Sequence, residues 1–193
     1  MREKALQIAA QQDGEQDKLN YLGEYLQHLI LRKMFELNWL TELVFPGGTA
    51  LRLIHELNRF SEVLDFHLKQ KNKNYSVTQK LTKLQKKLSL NGYKVEISSP
   101  SEGNVKSPFI KFAGGLLKEA GISSRPNQKL NIKLVIDTNP PIRSETETSL
   151  INEHFPVTLT HHDKPSFITR NVTQFYSADE KRERLLLPAV LPK

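Results

Sequence analysis

The stretch that most constrains this chain runs from residue 45 to residue 66, Phe-Pro-Gly-Gly-Thr-Ala-Leu-Arg-Leu-Ile-His-Glu-Leu-Asn-Arg-Phe-Ser-Glu-Val-Leu-Asp-Phe. A short apolar run, Leu43-Val44-Phe45, feeds a glycine pair. Ala50, Leu53, Ile54 and Leu57 then stand at i, i+3, i+4 and i+7, the spacing of one buried helix face. A polar break at Asn58-Arg59 leads into Ser61–Phe66, which reads as a strand. Glycines at the mouth of a helix let the backbone approach a ligand, and the first-turn N–H groups have no partners inside the helix, so the mouth suits phosphate. Thr49 adds a hydroxyl there, and Asp65 on the following strand is an acid able to hold a divalent metal beside the phosphate. By itself, Gly-Gly-Thr before a helix also reads as a plain tight strand-to-helix turn.

The full order is more restrictive: a glycine pair, a helix, Arg-x-Ser, then an acid on the next strand. Over Gly47, Gly48, Thr49, Ala50, Leu51, Arg52, Arg59, Phe60, Ser61, Glu62, Leu64, Asp65 and Phe66 the chain resembles the AbiEii/AbiGii-type toxins, a branch of the nucleotidyltransferase superfamily. The resemblance continues in order, more weakly, to about residue 166. It implies an α+β fold in which helices flank a nucleotidyltransferase-like mixed sheet, with a helical segment ahead of it. It also implies transfer of a nucleotidyl group from an NTP, with Mg²⁺, to an acceptor such as tRNA, in a toxin–antitoxin or phage-defence setting with a cognate antitoxin. On that resemblance Gly47, Gly48 and Thr49 hold the triphosphate and Asp65 binds the metal, while Arg59, Ser61 and Lys133 assist.

Three departures bear on activity. The family's Asp-x-Asp pair appears here as Val63-Leu64-Asp65. Alternate strand residues share a face, so Val63 stands where the missing acid would be and Glu62 points away. A later strand, Lys129–Asp137, matches a pattern whose acid completes the metal cluster, and that acid's place is taken by Val135. Asp137, one pleat further along the same face as Lys133 and Val135, is a candidate substitute metal ligand; it reads equally as a strand-end acid before a Thr-Asn-Pro-Pro turn. Pro46 stands where the family often has lysine.

Composition sets the outer limits. At 193 residues, 38% hydrophobic and 25% charged, the chain suits one globular domain. It has no cysteine, which excludes disulfides and thiolate zinc and fits a cytoplasmic location; no apolar run reaches membrane-spanning length. A net charge of +7 favours a polyanionic partner. The densest positive region, Lys69–Lys87, falls on a loop and on an amphipathic helix buried through Val77, Leu81, Leu84 and Leu88. Its lysines read either as a solvated face or as a landing strip for an RNA backbone.

Elsewhere the pattern predicts a frayed helix over 1–13, a long helix over 17–40 with Leu19, Leu22, Leu26, Leu29 and Ile30 inward and His28 at the surface or boundary, and strands over 93–97, 108–112 and 156–160. Gly114-Gly115 reads as a turn opening a short helix. His161 and His162 point opposite ways on an extended chain, which disfavours a metal site there.

The expected organisation is a nucleotidyltransferase-like domain over 1–166 (helical lead-in 1–40, core 41–160) and an aberrant tail over 167–193. In that tail the family's lysine-bearing helix and Arg-Asp motif are missing. With AAA AGA GAG AGA CTA CTA CTA as codons for 181–187, reading one base later gives Lys-Glu-Arg-Asp-Tyr-Tyr, so a frameshift is the expected origin of the tail; coding DNA with no family-like reading in either other frame ends that idea. Two functional readings stand: an impaired nucleotidyltransferase, or a catalytically inactive descendant that binds nucleotide, RNA or an antitoxin.

Overall fold

In a computed structural model of the chain, residues 1–55, 60–140 and 145–162 are described. The expected tail, Arg59 and the Lys-Pro-Ser segment after His162 lie outside those residues.

Two helices open the chain, α1 (Arg2–Ala10) and α2 (Glu15–Glu36). Ala5 and Ala9 are fully buried, so small side chains let α1 lie closely on α2. The long helix stops at Glu36 and not at residue 40. Asn38 takes a left-handed conformation (φ 55°), and Trp39–Glu42 continue as one 3-10 turn. The segments β1 (Leu43–Val44), α3 (Gly47–His55) and β2 (Val63–Leu68) follow. After them come α4 (Thr78–Ser89), β3 (Lys94–Ile97), β4 (Val105–Lys106), β5 (Phe109–Ala113), the one-turn α5 (Leu116–Glu119) and β6 (Leu130–Asp137). The hairpin β7 (Thr146–Ile151) and β8 (Val157–His162) completes the described elements.

The main sheet has the order β1-β2-β6-β5-β3, with β4 also on β6. β2 and β6 are parallel and the other pairs antiparallel, so this is an α+β fold with a mixed sheet and flanking helices. Burial follows the two-residue period of β6: Leu130, Ile132, Leu134 and Ile136 are buried, while Asn131, Lys133, Val135 and Asp137 face the less covered side. The hairpin reaches the sheet through Phe45, whose N–H donates to the Thr160 carbonyl at 2.8 Å.

β7 has no counterpart in the sequence reading. Its residues, Thr-Glu-Thr-Ser-Leu-Ile, lie mostly in solvent and lack the apolar alternation that marks a half-buried strand. The hairpin it forms also corrects the expectation for His28, which is fully buried: His154 from the β7–β8 turn lies across its ring at 4.9 Å between centroids. Burial, followed by the charges of His154 and Arg52, pushes the His28 imidazole down to about 3. The Glu153 carboxylate, 3.4 Å from His28 Nε2, is more than half exposed and does not reverse that. An unfolded histidine titrates near 6.5, so below that pH the unfolded chain takes up a proton that the folded one refuses. Stability is therefore fully present above about 6.5 and falls as pH drops toward 3, by about 1.4 kcal/mol per pH unit inside that window. The variant His28→Leu should flatten the acid limb of a urea-unfolding profile measured from pH 7 to 4.

Two lysines of α4 are engaged within the protein. Lys80 meets Glu42 at 2.6 Å, beside the rings of Trp39 and Tyr75, and Lys87 stands 3.8 Å from Glu36; Lys83 and Lys86 remain exposed.

Candidate functional site

The mouth of α3 abuts β2. Gly47 has φ +86°, in the region that favours glycine, and a Cβ built there would lie 3.2 Å from Asp65 Oδ2. Glycine is needed twice over, for its backbone angle and for the closeness of the acid. Gly48 faces open space. Thr49 is buried, and its hydroxyl donates to the Val63 carbonyl. That hydroxyl therefore ties the first turn of α3 to β2. What the mouth offers an anion is main-chain N–H and the positive end of a nine-residue helix.

On the sheet, Asp65 pairs in register with Val135, and Val63 with Lys133. The acid is thus flanked by valine on its own strand and by valine across the ladder, with Lys133 one pleat away. Burial raises the Asp65 carboxyl above its ordinary range, and the Lys133 charge opposes that rise. Replacing Lys133 with methionine should raise the Asp65 pKa further, an upfield-to-downfield carboxyl shift midpoint moving to higher pH when followed by ¹³C NMR. An unchanged midpoint would mean that the two charges do not sense each other.

The remaining predicted residues are dispersed. Ser61 heads β2: its Oγ accepts from the Val63 N–H at 3.3 Å, while Gln27 of α2 donates to its carbonyl. It lies four residues before Asp65, roughly 13 Å along an extended strand. Asp137 pairs with His67 and turns its Oδ1 to the Asn139 N–H at 2.8 Å, closing the strand-end turn. Arg59 is outside the described residues. His161 and His162 turn to opposite sides: His161 Nε2 meets Ser149 Oγ at 2.8 Å, and His162 Nε2 meets His67 Nε2 at 2.9 Å.

A Mg²⁺ pair does not fit this donor set. Among the described residues no group of three histidine, aspartate or glutamate side chains could hold an ion, and the carboxylate against Gly47 is that of Asp65.

The mouth is held in place by a network absent from the sequence-based expectations. Arg52 of α3 forms a bidentate pair with Glu24 of α2, at 2.7 and 3.1 Å, and stacks over Phe60 at 4.5 Å. Tyr21 meets the same ring edge-on. A signal was present: Glu24, Gln27 and His28 form an i, i+3, i+4 set of polar side chains on a helix that is otherwise strongly apolar, and all three are buried.

Residues 29–168 match the family described as the nucleotidyl transferase AbiEii toxin of type IV toxin–antitoxin systems. The chain belongs to the AbiEii family. Among solved structures, it is similar to a protein from H. pylori provisionally described as a nucleotidyltransferase. The identity is 23% and the TM-score 0.47, with 77% of this chain and 55% of that chain covered. The AbiEii chain thus spans about half the length of that protein. No curated protein matches it. Among the described residues no helix is long and apolar enough to cross a membrane.

Proposed function

We propose that this AbiEii chain binds a nucleoside triphosphate at the mouth of α3, with Asp65 and Lys133 beside its phosphates, and that its transfer of a nucleotidyl group to an acceptor is strongly impaired. The observation that carries the reading is the placement of the Asp65 carboxylate against the α3 mouth, where a Cβ built on Gly47 would lie 3.2 Å from its Oδ2, in a setting where Val63 and Val135 occupy the neighbouring positions. The helix mouth and a lysine can still attract a triphosphate. The carboxylates that would neutralise a second cation are valine, so the step that needs them is the part lost. The family's setting makes a cognate antitoxin the expected partner, and a cytoplasmic location follows from the same setting.

The test combines binding and transfer. Equilibrium dialysis with labelled ATP, CTP, GTP and UTP should give saturable binding that Gly47→Val removes. Incubation with α-labelled NTPs, Mg²⁺ and total tRNA should give little labelling by the unaltered chain and at least ten-fold more by Val63→Asp, an increment well within what one charge-stabilising contact supplies. Strong labelling by the unaltered chain that disappears in Asp65→Ala overturns the impairment; absence of NTP binding overturns the whole reading. A purely binding descendant is favoured by one further observation, the valine at position 135 directly opposite Asp65. That version is distinguished by Val63→Asp remaining inactive while NTP binding persists.

A further inference from the structure

The side of the sheet that carries Asp65 extends well beyond the α3 mouth. Strand register puts Phe109 of β5 beside Lys133, Lys111 between Asn131 and Glu96, and Lys94 of β3 beside Ala113, all on that one side. From β2 to β3 this is three strand spacings, roughly 14 Å. Phe109 is 40% exposed, unusual for a phenylalanine in the middle of a sheet. At the far end, Lys129 donates to Glu96 at 2.6 Å, and with Lys111 and Lys94 it holds that carboxyl below its ordinary value. Three lysines thus surround one glutamate, leaving positive charge in excess. The Gly114-Gly115 pair, a turn by its sequence, borders the same place. Both residues have positive φ (74° and 76°), and a Cβ on Gly114 would press on Lys94 Cβ at 3.1 Å. Together with Lys94, Glu96 and Lys129 they line a cavity of about 570 Å³.

We propose that this side of the sheet, from Lys133 across Phe109 to Lys111 and Lys94, is a track for a single-stranded RNA segment. The proposal rests on the preceding reading only for the identity of that segment as the acceptor. An exposed aromatic ring on a strand offers a base a stacking surface, and lysines a few ångströms further on offer the next phosphates a counter-charge. Phe109 lies between Lys133 across the ladder and Lys111 on its own strand, whereas the centre of a protein interface is depleted of charge. The exposed lysines of α4 have no aromatic ring of their own to stack a base, since Trp39 is buried and Tyr75 is bonded to Trp39 and Glu42. The direction of the track is set at one end: Phe109 adjoins Lys133, so a base stacked there would bring its strand toward Asp65.

Fluorescence anisotropy with the full chain and a labelled mixed-sequence 12-nucleotide RNA, without NTP or Mg²⁺, tests this. Phe109→Ala should weaken binding about ten-fold, the scale of one lost base stack. Lys94→Glu/Lys111→Glu should weaken it more and lower the slope of log K against log salt by about 1.4, two phosphate contacts on a single strand. Lys83→Glu/Lys86→Glu on α4 should leave it within two-fold, and the same RNA annealed to its complement should compete at least ten-fold less well. Binding that survives both sheet substitutions, or is lost in the α4 pair instead, overturns the proposal; so does equal affinity for the duplex. Thermal unfolding of each variant identifies misfolding, and if Phe109→Ala misfolds the lysine pair decides alone. NTP binding measured alongside keeps the two readings apart: RNA binding that survives the sheet substitutions while NTP binding is intact overturns only the track, whereas an unaltered chain that binds no NTP overturns the preceding reading.

Discussion

Replacing Arg52 with methionine should lower the free energy of unfolding by about 3–5 kcal/mol, read from urea denaturation at neutral pH. The reason is what the substitution leaves behind. Glu24 is 3% exposed and receives both of its close donors from Arg52, in a fork geometry that methionine cannot reproduce. Its carboxylate would remain in the interface between α2 and α3 without a counter-charge, and moving it to water would pull α2 away from its seat. The stacking of the guanidinium on Phe60 would vanish too. A second variant separates the pair from the packing: Glu24→Leu combined with Arg52→Met removes both charges and should recover most of the loss. A single-variant cost below about 1 kcal/mol would assign the pair to the class of exposed ion pairs. Because Arg52 lies on α3, the same substitution should also weaken nucleotide binding at the mouth of that helix.

The second large effect is expected at Gly47. A valine there meets two obstacles at once. The backbone angle of +86° lies where a β-branched residue is strained by about 1–3 kcal/mol, and its Cβ would start 3.2 Å from Asp65 Oδ2. The carboxylate or the helix mouth must then move by a few tenths of an ångström, and the side chain's remaining carbons press further. Nucleotide affinity should fall about a hundred-fold, equivalent to about 2.7 kcal/mol of lost binding energy. Gly48→Ala is the matched control. Its Cβ would meet nothing within 4 Å, so folding should be unaffected and nucleotide affinity should change by less than three-fold. Equal losses at the two glycines would mean that the contact with Asp65 is not what the mouth depends on.

The helices and most strands were legible because their apolar spacing is regular. The alternation of Leu130, Ile132, Leu134 and Ile136 marks β6, and Leu81, Leu84 and Leu88 mark the inner side of α4. The valines at 63 and 135 were legible as departures only through the family resemblance, which implies carboxylates at those places. A two-residue period puts Val63 and Asp65 on one side, and the register of β2 on β6 then sets Val135 opposite Asp65. What escaped the sequence lies where side chains act across long separations. Thr49, read as a phosphate ligand, spends its hydroxyl on the Val63 carbonyl, a partner that only the closeness of α3 and β2 supplies.

Sequence alone determined the family motif, the alternation that sets Val63 and Asp65 on one side of a strand, and the surplus of positive charge, because each depends on residue identity or short-range period. Only the tertiary structure decided that Asp65 stands where a side chain on Gly47 would point, that Val135 lies opposite Asp65, that Glu24 and Arg52 lock α2 to α3, and that His28 is sealed by a hairpin 120-odd residues further along. Those are contacts between segments distant in the chain. Their pairing is chosen by the burial of the whole core, which no local pattern records.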